Sequence, residues 1–235
     1  MTRRRWIADE VSGNRASLTG DHARHLAQVL RAQVGQQFDI STGAEVRRGK
    51  VTSVNPDRVE FELGDFVAQS EQVRITVAIS IFKFDRMEWA IEKCAELGVA
   101  RIIPVIAGRT EKHLALAAAK RAERWRRIVQ QAAEQSRRTS SPEIAEPIKF
   151  GELLAVAGET KVVLSEAEQE VMLKDAIPEN ANSVLLAFGP AGGWTEQELA
   201  AFDEAGWTSV SLGNTILRAE TAVISAVAIV GSVLQ

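Results

Sequence analysis

The chain has 235 residues, 46% hydrophobic and 25% charged, with a formal net charge of −3. A chain of this size buries enough apolar surface to fold as one or two domains without staples, and its single cysteine, Cys94, excludes a disulfide framework or a cysteine-rich metal site. The start MTRRRWIADEV lacks the apolar stretch of a secretion signal, and the one long apolar segment, at the other end, is alanine-rich and begins beside Arg218 and Glu220; the expected location is the cytoplasm.

In chain order, residues 1–68 read as short β-like pieces, Arg5–Ile7, Gln37–Ser41, Arg47–Val54 and Arg58–Leu63. Turn formers separate them at Gly13-Asn14, Thr42-Gly43, Asn55-Pro56 and Gly64-Asp65. One helix is expected from about Asp21 to Leu30, with Gly35 after its end. The pattern describes a small β-barrel-like module with one helix, and residues 66–72 read as the linker.

From residue 73 the pattern changes. VRITVAISIF (73–82) is a near-continuous apolar run, as in a strand buried on both faces. Asp85 opens a helix with Glu88 as a capping-box partner, and Gly98 closes it. ARIIPVIA (100–107) is the next strand. A long helix is expected from about Leu114 to Arg137, with Ala118, Ala122, Trp125, Val129, Ala132 and Ser136 as its inward stripe. Lys120, Arg124 and Arg127 form a second stripe beside it. Three further buried strands are expected, KVVLSE (161–166), SVLLAFG (183–189) and TSVSLG (208–213), with helices at Leu173–Ala176, Glu196–Ala205 and Ala219–Leu234. Strands alternating with helices give a mostly parallel α/β sheet, whose ligands bind beyond the carboxyl ends of the strands.

Charge is unevenly spread. Residues 101–138 carry ten Lys/Arg against three Asp/Glu, whereas residues 139–207 carry three against thirteen. The basic stretch reads either as a phosphate footprint or as a long helix that solvates itself.

No P-loop, early G-x-G-x-x-G or G-x-S-x-G is present, which argues against a P-loop NTPase, a Rossmann dinucleotide site and an α/β-hydrolase. His22 and His25 stand three apart with no third ligand nearby, so no metal site is expected, and Cys94 reads as core. The marked loops follow the late strands. Leu164, Ser165, Glu166 and Ala167 end the first. Gly189, Pro190, Ala191, Gly192, Gly193 and Trp194 follow the second, with Thr195 and Glu198 as a capping box. The third runs from Leu212 and Gly213 through Ile216 and Leu217 to Arg218 and Glu220, an ionisable pair at the edge of an apolar helix. Two glycine-bearing loops at neighbouring strand ends read either as tight turns or as a compact backbone pocket, and such a pocket suits S-adenosylmethionine better than ATP or NAD.

Phe188-Gly189-Pro190-x-Gly192-Gly193-Trp194-Thr195-x-x-Glu198 and Leu212-Gly213-x-x-Ile216-Leu217-Arg218-x-Glu220-Thr221-Ala222 resemble the RsmE family of SPOUT-superfamily methyltransferases. Lys83-x-Asp85-Arg86-x-Glu88, Glu96-Leu97-Gly98-Val99, Arg124-Trp125, Ala132-x-x-Gln135-Ser136-x-Arg138, Pro142, and His22, His25 and Leu30-Arg31 extend the likeness over essentially the whole chain. One departure is Ala191, where the family usually has Glu.

The resemblance implies a PUA-like RNA-binding β-barrel domain over 1–68. It implies a SPOUT α/β methyltransferase domain over 73–235, with a deep trefoil knot and the S-adenosylmethionine site in about 161–235. It implies a homodimer acting on N3 of uridine 1498 of 16S rRNA in the 30S subunit. Carried over, the donor is held by Leu164, Ser165, Glu166, Phe188, Gly189, Pro190, Gly192, Gly193, Leu212, Gly213, Ile216 and Leu217. Arg218 steadies the anion that forms on the pyrimidine, and Glu220 accepts its proton or orients Arg218. Phosphate contacts fall to Arg3, Arg4, Arg5, His22, His25, Arg31, Lys83, Arg86, Lys120, Arg124, Arg127, Arg137 and Arg138. A homologue that binds the donor or RNA without turnover, and a SPOUT enzyme with another RNA substrate, are the alternatives.

Overall fold

The computed structural model describes residues 5–43, 45–67, 73–136, 138 and 140–234. They divide into two compact units, one of residues up to 71 with 133–140, the other of 72–132 with 141–235. Residues 68–72 of the expected linker lie outside the described residues.

The first unit is a six-stranded sheet made of β1 (Arg5–Ile7), β2 (Glu10–Ser12), β3 (Arg15–Thr19), β4 (Gln37–Ser41), β5 (Val46–Asn55) and β6 (Arg58–Phe66). The spatial order is β1-β4-β5-β6-β3-β2. The edge strands β1 and β2 are consecutive in the chain. Ala8 N–H donates to the Ser41 carbonyl on one side and Asp9 N–H to Ser17 on the other, so the sheet curls back on itself. Leu18, Leu26, Ile40, Val51, Val59 and Phe61 fill the interior. The β2–β3 hairpin was not expected from sequence, because Ser17, buried between Ala16 and Leu18, breaks the apolar–polar alternation.

The expected single helix is two pieces, α1 (Gly20–Arg24) followed by a π-helical turn, His25–Val29. Ala32 N–H closes the turn on the Leu26 carbonyl at 3.1 Å. Arg31 is held there at φ +51, the sole non-glycine residue with positive φ among those described.

The second unit is a parallel sheet with helices on both faces. Its strands are β7 (Arg74–Ser80), β8 (Arg101–Ile106), β9 (Glu143–Ile144), β10 (Ile148–Lys149), β11 (Thr160–Leu164), β12 (Ser183–Phe188) and β13 (Thr208–Val210). The order is β10-β8-β7-β12-β11-β13, with β9 also on β8. The helices are α2 (Phe84–Glu96), α3 (Lys112–Gln135), α4 (Phe150–Leu154), α5 (Leu173–Ala176), α6 (Glu196–Glu204) and α7 (Ala219–Val233).

Alternate residues of the buried strands serve opposite faces. Val77, Ile79, Ile102, Val184 and Leu186 pack under Met87 and Ile91 of α2, Trp125 and Val129 of α3, and Val223 and Val227 of α7. Ala78, Ile103, Val105, Leu185 and Ala187 pack under Leu153 of α4 and Phe202 of α6. There Phe202 meets Trp194 and Trp207 edge-to-face, each at a centroid distance of 4.9 Å. Cys94 is fully buried on α2, and burial pushes its thiol up to about 12, as expected of a core residue.

The start of α2 corrects the sequence reading. Lys83 occupies the N-cap position without a side-chain cap, and Glu88 does not reach back. Its carboxylate instead accepts from Arg124 Nε at 2.8 Å and Arg121 Nη1 at 3.3 Å, tying α2 to α3. An ion pair with two guanidiniums outcompetes one backbone N–H.

Residues 171–173 add a second partner to β13. β11 lies on one side of it, in register from Val162 opposite Thr208 to Leu164 opposite Val210. On the other side Ser211 N–H donates to the Val171 carbonyl at 2.8 Å, and Leu173 N–H to the Ser211 carbonyl at 3.0 Å. The connection leaving β11 therefore crosses the end of β13 to its far side.

Candidate active site

The carboxyl ends of five parallel strands open on one cleft of about 1080 Å³. Phe82, Lys83 and Arg86 enter after β7, Arg109 and Glu111 after β8, and residues 164–169 after β11. Residues 188–194 enter after β12, and residues 210–220 after β13. This is where an open parallel sheet places its ligand. The structure brings into this cleft every residue assigned to the donor from the sequence: Leu164, Ser165, Glu166, Phe188, Gly189, Pro190, Gly192, Gly193, Leu212, Gly213, Ile216 and Leu217. Arg218 and Glu220 line it too.

The glycine loop 189–194 is tight for reasons of its own. A Cβ on Gly189 would lie 3.3 Å from the Gly193 carbonyl carbon and the Trp194 nitrogen, so the missing side chain accommodates the turn itself. Gly193 sits at φ +68, in the left-handed region. Gly192 has no such need, since a Cβ there would only touch Arg109 at 3.5 Å. Ala191 is exposed on the loop.

Polar anchors come from outside the loop. Arg109 Nη1 donates to the carbonyls of Gly192 at 2.7 Å and Trp194 at 3.0 Å. The Trp194 indole N–H donates to the Leu164 carbonyl at 3.1 Å. Glu198, 6% exposed, completes the expected capping box with Thr195, and its Oε1 also accepts from Gly108 N–H at 2.7 Å. In the β11 loop, Glu168 accepts from the N–H groups of Glu170 and Val171 at 2.7 and 3.1 Å, and these bonds hold its carboxyl below the usual carboxylate range.

Sequence reasoning missed Arg109 and the second bond of Glu198. The available signal was Gly108-Arg109 just past the second apolar run, a glycine at a strand's carboxyl end like those of the other loops.

Glu220 is 6% exposed in the first turn of α7. Its ionic partner is Arg86, with Nε at 3.7 Å, and no ion pair joins it to Arg218 among the described residues. Arg218 is the N-cap residue of α7, exposed and extended at φ −65, ψ 151.

The candidate phosphate contacts fall on both units. In the second, Lys83 is exposed and Arg86 half-buried at the cleft, while Lys120, Arg124 and Arg127 are exposed along α3. Arg124 is engaged by Glu88, and Arg127 Nε lies 3.6 Å from Glu123. In the first, Arg5 is half-buried on β1, and His25 and Arg31 are exposed. His22 is held between Asp9 at 3.2 Å and Glu134 at 3.5 Å. Arg138 is half-buried, and desolvation lowers its pKa. Arg3, Arg4 and Arg137 lie outside the described residues. Among the described residues no group of three His, Cys, Asp or Glu is placed to hold a metal ion, and no helix is long and apolar enough to cross a membrane.

Residues 69–231 match the RNA methyltransferase domain family, and residues 18–64 match the RNA methyltransferase PUA domain. The chain is 34% identical over 226 residues to the ribosomal RNA small subunit methyltransferase E of Synechocystis, spanning 93% of this chain and 73% of that one. It is 31% identical over 220 residues to the protein of that name from Bacillus subtilis, spanning 88% and 85%. The structure of the Neisseria gonorrhoeae ribosomal RNA small subunit methyltransferase E bound to S-adenosyl methionine superposes with a TM-score of 0.78 at 33% identity, over 97% of this chain and 96% of that one. A two-part α/β chain with a PUA-like first unit, five strand-end loops around one cleft, and likeness along nearly its whole length belongs to the ribosomal RNA small subunit methyltransferase E family of RNA methyltransferases.

Proposed function

We propose that the protein is an S-adenosylmethionine-dependent methyltransferase that modifies N3 of uridine 1498 of 16S rRNA in the 30S subunit, in the cytoplasm. The observation that carries this reading is the single cleft at the carboxyl ends of five strands, with Arg218 on its wall, in a chain of this family. The cleft fits the donor. Its volume of about 1080 Å³ reaches the top of the usual range for small-molecule sites, leaving room for a base beside the donor. Leu164, Phe188 and Leu212 give it apolar wall, and the N–H groups of Ile216 and Leu217 make no hydrogen bond with the described residues.

When bound, S-adenosylmethionine supplies an electrophilic methyl group. The chain's own residues must then steady a uracil that loses its N3 proton. Arg218 is the cation for the developing charge on the pyrimidine oxygens. Glu220, a carboxylate in the wall opposite Arg86, is the proposed acceptor of the proton and keeps Arg86 at the cleft. The target base has to leave its stack to reach this depth.

The domains proposed are 1–68 for RNA binding and 73–235 for methyl transfer. A trefoil knot in 161–235 is supported by β13 being flanked on both sides by β11 and the connection that leaves it. A homodimer is proposed on family likeness. Exposed Lys120, Arg124 and Arg127 are proposed to hold rRNA phosphates, as are the basic residues of the first unit.

Two measurements test this. Transfer of labelled methyl to 30S particles from a strain lacking the modification, followed by nucleotide mapping, is expected to place the label on N3 of uridine 1498. Label on another nucleotide, or donor binding without transfer, overturns it. For the phosphate contacts, Arg124→Ala with Arg127→Ala is expected to weaken RNA binding and to reduce the slope of log K against log salt by about 1–2. An unchanged slope would make this helix face a solvated surface and nothing more.

A further inference from the structure

We infer that Arg109 is a positioning residue for the donor pocket: its guanidinium fixes the conformation of the glycine loop 189–194. The inference rests on the reading of the cleft as a methyl-donor site. The loop contains adjacent glycines, Gly192 and Gly193, so its peptides have more freedom than any other part of the wall. Its internal bond is the turn from Gly193 N–H to the Pro190 carbonyl at 2.8 Å, which leaves the carbonyls of Gly192 and Trp194 unrestrained. Both point at one atom, Arg109 Nη1, at 2.7 and 3.0 Å. One cation therefore sets two peptide planes on either side of the positive-φ residue.

Arg109 is itself held in place. The preceding residue, Gly108, donates its N–H to Glu198, whose other oxygen takes the Thr195 N–H at 2.9 Å and the Thr195 hydroxyl at 3.0 Å. Two charge-assisted links thus run between the β8 loop and the β12 loop in opposite senses, guanidinium to carbonyls and N–H to carboxylate. Trp194 passes the constraint on, because its indole donates to the Leu164 carbonyl of the β11 loop. Three walls of the cleft are registered through one exposed arginine. Ala191 supplies no polar side chain to this loop, whose external anchors are Arg109, the Leu164 carbonyl and, next to it at Thr195, Glu198.

An exposed side chain outside the apolar core acts on pocket shape with little effect on global folding. Calorimetric titration with S-adenosylmethionine, steady-state kinetics and thermal unfolding of the full chain test this with Arg109→Gln and Arg109→Lys. Arg109→Gln is expected to raise the Kd and KM for the donor about 10- to 100-fold, with the KM for RNA and the unfolding midpoint unchanged. Arg109→Lys keeps a cationic nitrogen able to donate to two carbonyls but carries it on a more flexible stem, and is expected to recover part of the affinity. Unchanged donor affinity in Arg109→Gln, equal loss for donor and RNA, no recovery in Arg109→Lys, or a variant that fails to fold each overturns the inference. Wild-type protein that gives no heat with the donor overturns the proposed function itself, so the two failures are distinguishable.

Discussion

Arg218→Ala is expected to cut methyl transfer by about 100- to 1,000-fold while leaving S-adenosylmethionine affinity unchanged, the scale seen when a donor to a developing anion is removed. The side chain is exposed at the N-cap of α7 and carries no side-chain capping bond, so alanine there strips nothing from the core. The Arg218 carbonyl, which accepts the Ala222 N–H at 2.9 Å, is kept by any substitution. What is lost is a cation facing charge that exists only near the transition state, and such a loss falls on kcat rather than on donor binding. Arg218→Lys is expected to fall between the two. Single-turnover transfer to 30S particles, with calorimetry on the same preparations, measures both quantities. Wild-type turnover by Arg218→Ala would remove this residue from the mechanism.

The largest expected loss of stability comes from Trp125→Ala. Trp125 is fully buried where α3 meets α2 and the sheet, 6.1 Å from the Phe84 ring centroid. Truncating a buried tryptophan costs about 3–5 kcal/mol, which in a chain of this size lowers the unfolding midpoint by roughly 10 °C. Its indole N–H has no hydrogen-bond partner among the described residues, and leaving a buried donor unmade costs about 1–3 kcal/mol. Trp125→Phe removes that penalty along with some ring area, so its net effect is expected to stay within about 1 kcal/mol. Thermal unfolding of both variants is the check, and a Trp125→Phe loss clearly above about 1 kcal/mol would show that the indole N–H is satisfied.

Sequence alone revealed the second unit best where burial is two-sided. The runs at 73–82, 100–107, 161–166, 183–189 and 208–213 became β7, β8, β11, β12 and β13, because continuous apolar sequence has few other stable destinations. The two-residue strands Glu143–Ile144 and Ile148–Lys149 were not legible, since two residues carry no period. Neither was the π-helical turn at His25–Val29, which changes the hydrogen-bond register without changing composition. In the site, glycines after apolar runs pointed to the β12 and β13 loops. The pairing of Glu220 with Arg86, 134 positions earlier, and of Arg109 with Gly192, 83 positions later, is tertiary and leaves no local trace.

The order in which the cleft's walls occur along the chain has a consequence for synthesis. Residues 82–86 come first, and residues 210–220 come last, immediately before α7. A nascent polypeptide can assemble four of the five sides and still have no closed cavity. Affinity for a small molecule should then switch on abruptly once the final helix has left the exit tunnel and docked against α2, rather than grow as each strand is added.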